Sequence, residues 1–293
     1  MRRFASLVLA SITAGVAASP VPDFIEPQLN ENDFSCRSSV HPYPIVSLHG
    51  ILANNHIALN FLESWLRPQG YCTFSLTYGT QGPIPIGGVK SIEDSSHQIA
   101  DFIQKVLDRT GAEKVDIIGH SEGALLSLYV PKFSGLAPRI NKVIAIAPPT
   151  HGTTLGGVTE VEKALGIYKT ANSVFGLLGC AACEELGIGA PAIRKLNTGP
   201  IAQPGNEVTV IASRTDEVIT PLGVEQLLEP GVHNMWVQDY CPDDHPGHLG
   251  LLIDTNVWEL VRNSLEDQVG RKFKCASTPS VPIRRRLVVR DAM

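Results

Sequence analysis

Val115-Asp116-Ile117-Ile118-Gly119-His120-Ser121-Glu122-Gly123-Ala124-Leu125-Leu126-Ser127-Leu128 is the stretch on which the fold turns. Its first four residues read as a buried strand from the middle of a parallel sheet. Its last residues, from Gly123 to Tyr129, read as a helix that stops near Pro131. Between them lies Gly119-x-Ser121-x-Gly123. On its own the pattern arises often by chance. Joining a strand to a helix gives it meaning, because the serine then sits on a sharp, strained corner with little room for side chains on either side. The hydroxyl is pushed out above the sheet, and the helix N-terminus beneath it favours developing negative charge. Ser121 is therefore the candidate nucleophile.

The same alternation continues on both sides. Pro44–Leu48 and Cys72–Tyr78 read as strands, with a helix over Phe61–Leu66 between them. Ser91 caps the next helix, with Asp94 three residues on as a short-armed capping box. Ile99, Phe102, Ile103, Val106 and Leu107 form its apolar face, and Gly111 ends it. Val143–Ala147, Val208–Ala212 and Met235–Gln238 are further strands, and Val257–Leu265 is a last helix. Strands alternating with helices imply βαβ units, a mostly parallel sheet flanked by helices, and an α/β fold. Thr150–Gln203 is too long for a plain loop. It reads as a small helical cap or lid, or as ordinary connecting helices.

The totals fit one large α/β domain or two small ones. The chain has 293 residues, 43% of them apolar, which is enough for a full core. A net charge of −5 argues against nucleic acid as a partner, since neutralising phosphates needs a basic surface. Arg2 and Arg3, the apolar run Phe4–Ala18 and the small residues before Ser19-Pro20 read as a secretory signal peptide cut after Ala18. The run is short for a retained anchor. Export makes disulfides the default for the six cysteines, Cys36, Cys72, Cys180, Cys183, Cys241 and Cys275, although fifteen pairings exist. A zinc ribbon would need a second close pair beside Cys180 and Cys183. The expected organisation is a signal peptide at 1–18, a catalytic domain at 19–275 with its cap at about 150–203, and an unstructured tail at 276–293 that holds Arg284-Arg285-Arg286.

A serine hydroxyl is a weak nucleophile until a base takes its proton, and the base needs an orienting carboxylate. After a nucleophile on such a corner the chain order is acid, then histidine. Asp216 directly follows the strand that ends at Ala212 and is the expected acid, with Glu217 as its neighbour and rival. Two histidines, His245 and His248, precede the last helix, and spacing does not separate them. Asp243, Asp244, His245 and His248 also suggest a metal site, but such sites are usually assembled from several segments. The backbone N–H groups of Glu122 and Ile51 are the candidate oxyanion donors, with Gly50 allowing close approach to substrate.

At this point the residues resemble a family. The phrases HPYPIVSLHG, GYCTFSLTYG, APPTHGTTL and GHLGLLID, with the GHSEG corner, are similar to the secreted class 2 lipases of actinomycetes and fungi over roughly residues 36 to 275. More distantly they resemble lipases of the Candida antarctica lipase B type. The resemblance implies the α/β-hydrolase fold, His248 as general base, and the pairs Cys36–Cys72, Cys180–Cys183 and Cys241–Cys275. It implies carboxylic-ester hydrolysis through an acyl-enzyme on Ser121, Asp216 and His248, with an ester or lipid as partner and transient contact with a lipid interface. The chemistry requires no metal or organic cofactor, and a monomer is expected. Two residues depart from the pattern. Glu122 stands where glutamine is more familiar and is expected to bring negative charge beside the oxyanion. Ile51 lacks the hydroxyl of the Candida type. Val174–Leu178 is a candidate acyl groove or a piece of core. A weak binding protein, an esterase or polyesterase, an acyltransferase and a peptidase are the rival readings on one scaffold.

Overall fold

Runs of branched apolar residues make the strands in the computed structural model, which describes residues 32–83, 85–154 and 179–277. The strands are β1 (Ile45–Leu48), β2 (Thr73–Ser75), β3 (Val115–His120), β4 (Ile140–Ile146), β5 (Glu207–Ala212) and β6 (Val232–Trp236). They form one sheet in the order β2-β1-β3-β4-β5-β6, and every neighbouring pair is parallel. Around it lie α1 (Asn60–Leu66), α2 (Ile92–Thr110), α3 (Glu122–Phe133), α4 (Ala181–Glu185), α5 (Pro191–Leu196), α6 (Val237–Tyr240) and α7 (Thr255–Leu265).

The period-two alternation of the strands sends neighbouring residues to opposite layers. Val46, Ile117, Val143 and Val210 join a core beneath α2 and α3, where Ile99, Ile103, Val106, Leu125 and Leu128 cover them. Ile45, Ile118, Ile144 and Ile211 face the other way, against Leu62 and Leu66 of α1 and Trp258, Val261 and Leu265 of α7. Local signals set the helix ends. Ser91 Oγ accepts from the Asp94 N–H at 3.0 Å, and Gly111, at φ 71°, closes α2. Asp254 caps α7 by accepting from the amides of Asn256 and Val257.

Several boundaries differ from those expected: β3 runs on to His120, β4 begins at Ile140, and three further differences have a visible setting. β2 stops at Ser75 rather than Tyr78, because the Asn32 side chain takes both the N–H and the C=O of Ser75 at 2.8 Å, as a neighbouring strand would. α3 continues through Pro131 to Phe133. The proline removes one donor near the end of the helix, and the Ser134 N–H still closes the last turn on the Val130 carbonyl. The last strand lies at Val232–Trp236, in register with β5 from Val208↔Val232 to Ala212↔Trp236, and Val237 already begins a helical turn.

Chain order in this sheet reverses at β1. The chain runs from β1 outward to β2, then crosses back to β3 on β1's other side. At such a reversal open α/β sheets hold their ligands in a crevice at the carboxyl ends of the strands. The flanks of the expected cap, 150–154 and 179–203, include α4 and α5, and Ala182, Leu186, Ile193, Leu196 and Ile201 pack into the core beneath α3. Residues 155–178 of that region, with the candidate groove Val174–Leu178, lie outside the described residues, as do the expected signal peptide and the tail beyond residue 277.

Candidate active site

Ser121 occupies the turn from β3 into α3 with φ 57° and ψ −123°, a left-handed conformation that side chains rarely adopt. Its surroundings explain why glycines flank it. A methyl at Gly119 would overlap the backbone of Gly123 and Ala124. A methyl at Gly123 would overlap the carbonyl oxygens of Leu48 and His49. The corner is pinned from the side by the Ser121 N–H donating to Ile146 O of β4 at 2.9 Å.

The loop after β1 abuts this corner because Leu48 pairs with Gly119 across the two strands. A Cβ at Gly50 would sit 3.2 Å from Ser121 Cβ, so a side chain there would crowd the nucleophile. The loop is held in a tight turn. Ala53 N–H donates to Gly50 O, Gly87 N–H donates to Ala53 O at 2.7 Å, and Leu52 adopts φ 58°. His49 braces its start. Its Nδ1–H donates to Gly50 O at 2.7 Å, its Nε2 accepts from Tyr78 N–H, and the two rings stack with centroids 4.1 Å apart. The Tyr78 hydroxyl donates to His49 O. Burial lowers the His49 pKa to about 4, so the ring is neutral and this pattern of one donor and one acceptor is stable.

The acid and the histidine meet across the loops after β5 and α6. His248 Nδ1–H donates to Asp216 Oδ2 at 2.8 Å, and both side chains are almost fully buried. Asp216 Oδ1 accepts from the amides of Val218 (2.8 Å) and Ile219 (2.9 Å). Burial pushes the Asp216 pKa up, but the hydrogen bond and charge of His248, with the two amides, outweigh it and hold the carboxylate below its usual range. With Nδ1 carrying its proton toward Asp216, Nε2 is left as the acceptor.

Several neighbours hold this histidine. Glu217, expected only as a rival acid, is exposed, yet its Oε2 accepts from the His248 backbone N–H at 3.1 Å. Thr215 Oγ1 donates to Pro246 O, and Gln238 Nε2 donates to Asp244 O, which ties the acid loop to the histidine loop. His120, which the sequence reading left without a role, donates from Nε2 to His248 O at 3.0 Å. The two rings lie with centroids 4.6 Å apart. Burial drives the His120 pKa down to about 3, so it acts as a neutral donor. Because His120 adjoins Ser121, this contact brings His248 close to the Ser121 corner. The Ser121 hydroxyl has no hydrogen-bond partner among the described residues; unliganded hydrolases often tighten that contact only with substrate. His245 is exposed, and so is Asp243. Asp244 instead accepts from Asn256 Nδ2 at 2.8 Å, so the Asp243–His248 cluster points in separate directions.

Glu122 differs from expectation. Its side chain is completely buried and neither carboxyl oxygen has a hydrogen-bond partner among the described residues. Burial, reinforced by the charge of Glu185, pushes its pKa well above the carboxylate range. That direction favours the uncharged form of the group beside the corner. The sulfurs of Cys36 and Cys72, Cys180 and Cys183, and Cys241 and Cys275 stand as bonded pairs. The last of these fastens the histidine loop to the end of the described chain.

Known proteins share this fold. The fold is that of Aspergillus fumigatus lipase B, with a TM-score of 0.61 at 18% identity over 76% of this chain and 52% of that one. The mature Bacillus licheniformis lipase BlEst2 superposes with a TM-score of 0.52 at 14% identity, over 79% of this chain and 93% of its own. In sequence, a triacylglycerol lipase of Pseudarthrobacter phenanthrenivorans is 29% identical over 181 residues, 55% of this chain and 52% of that protein. A triacylglycerol lipase of Burkholderia plantarii is 29% identical over 181 residues, 55% of this chain and 46% of its own length. The chain thus spans about half the length of the curated relatives it matches. The family described as Lipase (class 2) matches residues 42–244, which carry the Gly50 loop, the Ser121 corner and Asp216. The chain is an α/β-hydrolase and belongs to the class 2 lipase family.

Proposed function

We propose that this protein is an exported lipase that cleaves carboxylic esters of lipids through an acyl-enzyme on Ser121. The observation that carries this reading is the His248 Nδ1–Asp216 Oδ2 hydrogen bond beside the positive-φ serine, because it leaves Nε2 free to take a proton at that corner. The ester carbonyl lies over the crevice with its oxygen toward the N–H groups of Ile51 and Glu122. Ser121 Oγ attacks the carbonyl carbon while His248 Nε2 takes the hydroxyl proton. Asp216 stabilises the imidazolium, and the two amides stabilise the oxyanion; one such donor contributes about 3 kcal/mol. The C–O bond then breaks, and the alcohol leaves with the proton from His248. Water enters, gives a proton to His248, and attacks the acyl carbon. The tetrahedral intermediate collapses and Ser121 recovers its proton. The three cysteine pairs support an oxidising destination, and the family supports a lipid ester.

A fluorophosphonate probe and a chain-length series of p-nitrophenyl esters test this. Labelling that disappears in Ser121→Ala, with hydrolysis favouring longer acyl chains, is expected. A folded protein that the probe never labels would instead be a binding scaffold. Labelling with turnover of short esters only would make it an esterase, and faster transfer to an added alcohol than to water an acyltransferase.

A further inference from the structure

The buried Glu122 carboxyl has a definite place in the molecule, between the two segments that border the nucleophile. A methyl at Gly88 would overlap Glu122 Oε2, and it would also stand 2.9 Å from Ile51 Cα and 3.2 Å from Gly50 O. Gly88, at φ 68°, is therefore a bare backbone plate with no side chain to intrude where the carboxyl and the Gly50–Ile51 segment converge. The plate is fastened by Gly88 N–H donating to Tyr78 O at 2.9 Å and Val89 N–H donating to Gly79 O at 3.0 Å.

We propose that the Glu122 side chain is a positioning group that packs beside Gly88 where the Gly50–Ile51 segment converges on it, and so keeps both oxyanion donors aimed at one point. The proposal rests on the hydrolase reading for what the donors do. It explains how a carboxyl is tolerated beside a developing oxyanion: without its charge it fills space and repels nothing.

The titratable groups that face it are Glu185 from α4, Tyr78 from the loop after β2 and, around Gly87, His49 from the loop after β1. Glu185 is itself engaged, its Oε2 accepting from the Ile92 N–H of α2 at 2.7 Å. None of the three is a cation at neutral pH, since His49 is held neutral by burial. Loss of the Glu122 proton to water would leave a buried anion with no cation facing it among the described residues. The carboxylate would then draw water in, loosen the plate and stand near the oxyanion with like charge. The consequence is an alkaline limb carried by kcat rather than KM, because the donors act mainly on the transition state.

The test compares pH profiles of p-nitrophenyl butyrate hydrolysis for the wild type and Glu122→Gln, each normalised to its own maximum, with circular dichroism recorded at every pH. The wild type is expected to lose kcat by about tenfold per pH unit beyond the limb while it stays folded. Glu122→Gln, which cannot ionise, is expected to lack that limb. A limb that persists in Glu122→Gln, or one borne by KM, overturns the proposal. A second readout does not depend on catalysis. Infrared spectra of the wild type with 13C-labelled glutamate should show a buried protonated carboxyl band at neutral pH that is absent from Glu122→Gln. If that variant does not fold, the wild-type band is expected to fade over the same pH range as kcat. A missing band, or fading in a different range, overturns the proposal. Failure of the fluorophosphonate to label Ser121 would sink the hydrolase reading and leave the infrared result to decide the protonation.

Discussion

The two ends of the parallel sheet treat buried charge in opposite ways. At the amino end, the charged side chains at the strand starts have partners, although Asp267 beside them has positive φ and Arg262 Nε and Asn206 Oδ1 lack a hydrogen-bond partner among the described residues. His41 Nε2 pairs with Asp116 Oδ2 at 2.5 Å, while Asp116 Oδ1 accepts from Asn141 Nδ2 and Lys142 N–H. Lys142 then bridges Glu207 at 2.9 Å and Asp267. At the carboxyl end, strain and unpartnered atoms gather. Leu52, Ser121 and Ala147 all have positive φ there. Both oxygens of Glu122 and one of Glu225 lack a partner. Groups that only hold a fold together are satisfied locally, whereas a site must keep some groups strained or unsatisfied for its substrate. The amino end reads as a clamp and the carboxyl end as a working edge.

Substitutions at the two ends should separate these roles. The largest effect is expected from Ser121→Ala or Asp216→Asn, which should lower kcat/KM by about 10⁴-fold. Thermal unfolding of Ser121→Ala should stay close to the wild type, since only a strained serine hydroxyl is lost; a large drop would show that this corner also carries stability. Gly123→Ala comes next. Its methyl would meet the carbonyls of Leu48 and His49, so a loss of at least about 3 kcal/mol in urea unfolding is expected, together with activity. Asp116→Ala inverts the pattern. Removing one member of the buried pair should cost about 3 kcal/mol in stability while the protein that remains folded keeps its kcat. A matching fall in kcat would abolish the division between the ends.

The smallest expected effect concerns pH. Burial raises the Glu225 pKa from 4.5 to about 7 and the Asp254 pKa from 3.8 to about 7, the latter helped by the charge of Asp244. A carboxyl that binds its proton more tightly folded than unfolded stabilises the fold fully below its unfolded value, and that share is lost as pH rises through about 7. Glu225→Gln should therefore flatten the decline of stability between acid and neutral pH, as read from urea midpoints. An unchanged slope would assign the decline to Asp254 or to other groups.

How much of this was readable along the chain follows from how local each cause is. The corner at Ser121 was legible because the glycine spacing reflects clashes that arise within five residues of chain. The alternation of strands and helices was legible because residue periodicity maps directly onto sheet faces and helix stripes. Boundaries failed where a distant partner intervened, as when the Asn32 amide stands in for a strand beside Ser75 and ends β2 early. The role of Glu217 was missed because its contact is to the His248 backbone, which no pattern of side-chain types records. His120 was passed over for a similar reason. Its adjacency to Ser121 was the available signal, but its partner lies 128 residues away.

By itself, the sequence determined the sheet-and-helix alternation, the nucleophile's corner and the order in which acid and histidine follow it, because each depends on steric or hydropathic rules that act over a few residues. Spacing left His245 and His248 open and the family resemblance implied His248; only the tertiary structure brought His248 to Asp216, set Glu217 and His120 against it and buried the Glu122 carboxyl. Those outcomes depend on which segments pack together and how completely they exclude water. Proximity and desolvation are properties of the packed molecule, and no short window of residues contains them.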